Sequence, residues 1–170
     1  MKIRRIAVGD VASFHQCLDF VARERRYLAM VEAPPIDQVD DFVAEGRKHG
    51  IVQLVAVAED RVVGWCDVSP NRWEGFRHSG HLGMGLLPEF RRRGIGRRLL
   101  EATLAESERQ GITRVELEVF VSNRGAVAFY ERHGFEHEGV KRSARQLEGV
   151  SEDMACMARL LSRDRVDSGG

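Results

Sequence analysis

The stretch that most limits what this chain can become is a junction. Gly80 to Leu87 reads as a strand closed by Pro88, although Gly83 and Gly85 stand where a regular strand prefers side chains that pack, which points to a bulge or a close backbone approach. From about Ile95 to Gln110 the period is helical, with Ile95, Leu99, Ala102 and Ala105 on one side and Gly111 as the stop. Between the two lies Glu89-Phe90-Arg91-Arg92-Arg93-Gly94-Ile95-Gly96-Arg97-Arg98. A strand that feeds a long helix through a glycine loop belongs to a mixed α/β layer structure. The first amides of such a helix lack intrahelical partners and carry partial positive charge, and glycines let an anion approach the backbone. Arg91, Arg92, Arg93, Arg97 and Arg98 add to that field. Neither G-x-x-x-x-G-K-[ST] nor G-x-G-x-x-G is present, the last glycine of the second pattern falling on Leu99, so ATPase-type and Rossmann dinucleotide sites do not fit. Taken alone, the two glycines equally suit a plain turn beneath solvated arginines.

The rest of the chain supplies the layers. Ile3 to Val8 forms an opening strand, and Gly9-Asp10 turns into a helix marked by Val11, Phe14, Leu18 and Val21 that runs into Arg23 to Tyr27. Pro34-Pro35 interrupts, and Ile36, Val39 and Val43 mark a second helix ending near Gly50. Val52 to Ala58 and Arg61 to Val68, joined by Glu59-Asp60, read as an antiparallel hairpin, and Asn71 to Ser79 as a loop or an irregular strand extension. Arg114 to Val121 alternates, with Val115, Leu117, Val119 and Val121 inward and Glu116, Glu118 and Phe120 opposite. Ser122-Asn123 caps a short helix through Tyr130 and Arg132, stopped by Gly134, and Glu136 to Leu147 and Ser151 to Leu161 pair around Glu148-Gly149. One domain is expected over residues 1–163, with a disordered tail at 164–170.

Composition narrows the function. Lys plus Arg and Asp plus Glu both total 26, which argues against wholesale binding to nucleic acid or to an anionic membrane surface. Cys17, Cys66 and Cys156 lie far apart, fitting neither a zinc site nor a disulfide scaffold, so no metal is expected and a cytoplasmic setting is. The start of the sequence lacks the apolar stretch of a signal peptide, and no run reaches the ~18 apolar residues of a membrane span. Cys66 and Cys156 stand in apolar strand contexts that suit inert thiols.

Arg91-Arg92-Arg93-Gly94-Ile95-Gly96 fills the pattern [QR]-x-x-G-x-[GA], and Asn123 to Phe135 fills N-x-x-A-x-x-[FL]-Y-x-x-x-G-F. In this order the two motifs resemble those of the GNAT superfamily of N-acetyltransferases, and the likeness covers roughly Gly80 to Phe135 with weaker agreement before Ile51. The resemblance implies a mostly antiparallel central sheet flanked by helices and splayed between its fourth and fifth strands. It also implies acetyl-CoA as cosubstrate in that splay, with pantetheine on the main chain of Met84, Gly85 and Leu86. The pyrophosphate then lies on Arg92, Arg93, Gly94, Ile95, Gly96 and Arg97, and Asn123 is placed at the cofactor as well as at the helix cap.

Acetyl transfer requires an aligned neutral amine, a stabilised oxyanion and a proton for the departing thiolate. The resemblance makes Tyr130 that proton donor; packing beneath the sheet is its alternative. Glu118 matches the acidic residue that ribosomal-protein alanine acetyltransferases use within L-E-V-x-x-S-N, which implies a general base; Glu116, His78 and His81 are further candidates, and a solvated strand glutamate is the plain alternative. The acceptor is expected to be a small-molecule or peptide amine. Arg23, Arg25, Arg26, Arg72 and Arg77 hint at a carboxylate or phosphate on it, and Tyr27, Trp73 and Phe76 offer an apolar wall. A non-catalytic acyl-CoA-binding regulatory module is the competing reading, and a homodimer is left open.

Overall fold

The computed structural model describes residues 1–161, so the tail expected at 164–170 lies outside the described residues. The strands are β1 (Lys2–Arg5), β2 (Val52–Ala58), β3 (Arg61–Pro70), β4 (Ser79–Leu86), β5 (Arg114–Phe120), β6 (Glu136–Leu147) and β7 (Val150–Leu160). The helices are α1 (Val11–Arg23), α2 (Ile36–Lys48), α3 (Ile95–Arg109) and α4 (Arg124–Arg132). The strands form one sheet in the order β1-β2-β3-β4-β5-β7-β6, antiparallel throughout except where β4 meets β5.

Neighbouring residues of β3 show how the layers form. Trp65 meets Phe14 of α1 edge-on at 5.8 Å, while Cys66 points the other way toward Thr103 of α3. Strand alternation thus places α1 on one face and α3 on the opposite one. Val52, Val63, Cys66, Val68, Leu99, Leu100 and Val115 are sealed between the layers. Gly46 of α2 leaves room for Gln53, whose Nε2 donates to the Phe42 carbonyl at 3.1 Å; a Cβ at Gly46 would sit 2.4 Å from Gln53 Oε1.

Several boundaries differ from expectation for local reasons. β1 stops at Arg5, because Asp10 turns back to pair with Arg4 and accepts the Ala7 N–H at 2.8 Å. α1 stops at Arg23 rather than Tyr27, and Arg25 takes φ 57°. β3 runs on to Pro70, and Glu74–Phe76 is a single 3-10 turn within the expected loop. On α3 the buried stripe is Ile95, Leu99, Leu100, Thr103, Leu104 and Ser107, leaving Ala105 exposed. The two hydroxyls are tolerated there because Thr103 donates to the Cys66 carbonyl and Ser107 to the Thr103 carbonyl. β5 ends at Phe120, which is buried at 2% exposure, whereas Val121, expected inward, is 45% exposed. The reversal follows from the strand end: the Val121 N–H already turns to the Asp153 carbonyl, and the Arg145 guanidinium covers Phe120 at 4.1 Å.

Candidate active site

β4 and β5 part company early. They pair only at Ser79↔Arg114, Gly80↔Val115 and His81↔Glu116, although β4 continues to Leu86 and β5 to Phe120. From Leu82 to Leu86, β4 keeps β3 on one side and has no strand on the other. Its pairing with β3 runs without a register shift, so its glycines mark close approach and not a bulge. Gly85 yields to the Trp65 ring, since a Cβ there would stand 2.3 Å from Cη2.

The helix start lies beside this opening. Arg92 and Gly94 take φ of 58° and 76°, and the first backbone bond of α3 runs from the Arg98 N–H to the Gly94 carbonyl at 3.2 Å. The amides before Arg98 are therefore free of intrahelical acceptors. Arg92, Arg93 and Arg97 extend into solvent, Arg97 lying 3.8 Å from Glu101. Arg91 does not join them. Its Nε donates to the Leu86 carbonyl at 2.9 Å, its two terminal nitrogens hold the Glu24 carboxylate, and it lies 4.8 Å above the Tyr27 ring. Arg91 thus fastens the loop to the segment after α1, and Tyr27 is engaged there as well. Gly96 faces Met84, Leu86 and Phe129, each 3.6 to 3.8 Å from where a Cβ would be, so a methyl group would fit in ordinary contact.

α4 closes the opening from the far side. Asn123 caps it, its Oδ1 accepting the Ala126 N–H at 3.2 Å. Tyr130 follows in the last turn, about 10 Å further along the axis at ~1.5 Å per residue. Its ring is buried between Phe129 and Phe135, with centroids at 5.4 and 5.6 Å, and its hydroxyl has no hydrogen bond to any described residue. Burial pushes the phenol well above its ordinary value, so the proton stays on at neutral pH.

On β5 the carboxylates are already engaged. Glu118 pairs with Lys141 of β6, and Glu116 lies 3.1 Å from Arg114, which also holds Glu138. Arg145 is nearly enclosed; it binds Glu152 and donates to the carbonyls of Arg25 (3.0 Å) and Leu28 (3.3 Å). The β6–β7 hairpin is thereby tied to the segment between α1 and α2.

Residues 15–135 match the model of the Acetyltransferase (GNAT) family. The chain belongs to the GNAT acetyltransferase family. The [ribosomal protein bS18]-alanine N-acetyltransferase of Salmonella typhimurium is 40% identical over 75 residues, 44% of this chain, and the chain spans about half (51%) of that relative's length. An N-alpha-acetyltransferase of Saccharolobus solfataricus is 31% identical over 134 residues, 71% of this chain and 75% of its own. The fold is shared with a GNAT superfamily phosphinothricin acetyltransferase of Sinorhizobium meliloti solved in complex with acetyl-CoA, at TM-score 0.87 and 20% identity over 94% of this chain and 87% of that one.

Within this GNAT chain the structure brings Met84, Leu86 and Gly96 together and sets Arg92, Arg93, Gly94, Ile95 and Arg97 around one helix start. It does not leave every basic residue free. Arg23 is held by Asp19 at 2.7 Å and Arg25 by Glu148 at 2.5 Å, so two of the arginines expected to face the acceptor are engaged within the chain. Trp73 and Phe76 are 77% and 58% exposed on the β3–β4 connection and form no wall. His78 contributes its carbonyl, which receives the N–H groups of Thr113 and Arg114. The Cys66 thiol is pushed far up by burial, as expected of an inert core cysteine. Phe129 and Asp67 were missed. Phe129 occupies the [FL] position of its motif, and Asp67 is the lone acid in the run Val62-Val63-Gly64-Trp65-Cys66-Asp67-Val68. Among the described residues no helix is long and apolar enough to cross a membrane.

Proposed function

We propose that the chain is an acetyl-CoA-dependent N-acetyltransferase, a single cytoplasmic domain that acetylates a primary amine of a small molecule or peptide by direct attack in a ternary complex. The two named relatives act on alanine and at an N-alpha position, which favours an α-amino group as acceptor. Three free cysteines suit the cytoplasmic setting. The observation that carries the reading is the loss of β4–β5 pairing after His81↔Glu116, next to the open amides that begin α3.

The residues suit acetyl-CoA. The main chain of Met84, Gly85 and Leu86 lies on a strand edge without a neighbour, the kind of edge that pairs with an extended amide-bearing arm. The amides from Arg92 to Arg97, with Gly94, Ile95 and Gly96 among them, would hold a pyrophosphate, with exposed Arg92, Arg93 and Arg97 adding charge. Asn123 would bound the opening from the start of α4. The thioester supplies an acyl carbon already activated toward an amine, and a thiolate leaving group.

The chain's own groups then manage protons. The Glu118 carboxylate, paired with Lys141, would accept a proton from the amine nitrogen as its bond to the acyl carbon forms. The Tyr130 hydroxyl holds the proton a departing thiolate needs, and the apolar packing around it keeps that proton in place until the sulfur leaves.

The test is thiol release from acetyl-CoA with alanine-first peptides and free amino acids. Tyr130→Phe is expected to lower acceptor-dependent release about 100-fold while acetyl-CoA affinity, read by calorimetry, holds. A native chain that fails to bind acetyl-CoA would sink the reading.

A further inference from the structure

The proton scheme above leaves one acid of the cleft floor without a role. Asp67 interrupts the buried run of β3. Gln53 of β2 lies beside it on one side and Gly83 of β4 on the other. A Cβ at Gly83 would stand 3.2 Å from Asp67 Oδ1 and 3.5 Å from Oδ2, so the carboxylate leans over a glycine that presents no side chain. Toward the helices, Ile6, Phe14, Phe42 and Trp65 enclose Asp67 and Gln53 around a cavity of about 10 Å³, which has room for about one water and no ligand. Asp67 retains partial exposure all the same, and Gly83 is the neighbour that leaves it uncovered.

Four glutamates on the elements around the cleft each have a cation. Glu24 has Arg91, Glu116 has Arg114, Glu118 has Lys141 and Glu152 has Arg145. Asp67 has neither an ion pair nor a hydrogen bond to any described residue. An unpartnered acid among apolar side chains costs folding stability, and such groups gather where a ligand supplies the missing partner.

Register locates that ligand. His81 is level with Glu116 at the last β4–β5 pair, and carrying that register two residues further sets Gly83 and Glu118 on opposite banks of the opening. Asp67, Gly83 and Glu118 therefore form one row on one face of the sheet, an acid on each bank and bare backbone between. Neighbouring strands lie ~4.8 Å apart, so a nitrogen above Gly83 has Asp67 within one strand spacing.

We propose that Asp67 receives the acceptor as a cationic primary amine above Gly83 and takes the first of the two protons that its nitrogen gives up on becoming an amide. This rests on the acetyltransferase reading and specifies the charge state of its substrate. The step balances: an ammonium and a carboxylate become a neutral amine and a carboxylic acid, and the nitrogen lone pair is freed for attack. The second proton leaves as the C–N bond forms and goes to Glu118, and Tyr130 provides one to the sulfur as the C–S bond breaks. The proton on Glu118 then restores Tyr130 by way of solvent, and the proton on Asp67 returns to solvent, so one proton is released per amide and thiol formed. Burial pushes the Asp67 carboxyl up to about 7, where it can both carry charge and accept a proton near neutrality.

The groups that face Asp67 are Gln53 from β2, Phe14 from α1, Phe42 from α2, Gly83 and His81 from β4, and the Glu118–Lys141 pair across the opening. Of these, His81 is the ionisable group not already in an ion pair, so His81→Gln is run alongside to separate its contribution from that of Asp67; a deficit that fades with rising pH in His81→Gln and not in Asp67→Asn overturns the proposal. Thiol release is followed with an alanine-first peptide at saturating acetyl-CoA, at pH values below and above the acceptor's own pKa, about 8 for a peptide α-amine. Asp67→Asn is expected to lower acceptor kcat/KM about 100-fold at neutral pH, with acetyl-CoA affinity preserved and Tm equal or higher. The deficit should shrink as pH rises through the amine's pKa, because a neutral amine no longer needs the acid. Gly83→Ala, which crowds the carboxylate without removing it, should raise acceptor KM. Full activity in Asp67→Asn, or a deficit that stays constant with pH, overturns the proposal while leaving the acetyltransferase reading intact. A native chain without acceptor-dependent release overturns both.

Discussion

The β2–β3 and β6–β7 hairpins turn alike and sit in opposite surroundings. Glu59-Asp60 and Glu148-Gly149 each place two successive residues at positive φ, 49° and 58° in the first and 51° and 78° in the second, the turn whose twist matches that of paired strands. In the first hairpin nearly every residue from Val52 to Val68 outside the turn is buried, because helices cover both faces. In the second, β6 is exposed over most of its length and is tied to the rest by charge: Arg114–Glu138, Lys141–Glu118, Arg145–Glu152 and Arg25–Glu148. Turn chemistry alone therefore does not decide what a hairpin is for. Layer coverage makes the first hairpin the frame of the molecule, and polar reach makes the second a rim for the cleft.

If that division holds, damage to the two hairpins should differ in kind. Trp65→Ala in the first removes the ring that packs on Phe14 and Gly85, and should cost about 3–5 kcal/mol in urea unfolding. Arg145→Ala in the second strips donors from the carbonyls of Arg25 and Leu28 and leaves Glu152 without its cation; about 1–3 kcal/mol is expected, little changed by added salt. A loss as large as that of Trp65→Ala would erase the distinction. Lys141→Ala should leave the melting temperature where it was, its ammonium being solvent-exposed, yet alter acceptor kinetics by releasing Glu118. Unchanged kinetics would remove Glu118 from the proton scheme.

The sequence disclosed these two hairpins unequally well. β-Branched runs marked β2 and β3 almost to the residue, and the glycine junction marked the start of α3, because both signals are local. Burial of Phe120 in place of Val121 was out of reach of alternation, since the cover is Arg145, which approaches from another hairpin. Arg91 counted in the sequence as one more charge in the field at the helix start; its partner Glu24 lies 67 positions earlier, and no spacing rule joins them. Asp67 stood in plain view as an acid within an apolar strand. Its significance depends on Gly83 and on the parting of β4 from β5, both matters of register across strands. The motifs located the helix start beside the opening, whereas the residues proposed to receive the acceptor have no fixed spacing.

The exposed outer strand has one more consequence. β6 forms a border of the sheet, and its pairing with β7 slips twice, between His137 and Gly139 and again between Lys141 and Arg145. A foreign strand laid along that border would find its ladder of hydrogen bonds interrupted and would meet Lys141 and Arg142 on the way. The opposite border, β1, is four residues long and carries Lys2, Arg4 and Arg5. With both borders broken or charged, the sheet resists end-to-end stacking into fibrils even while one of its longest strands lies open to water.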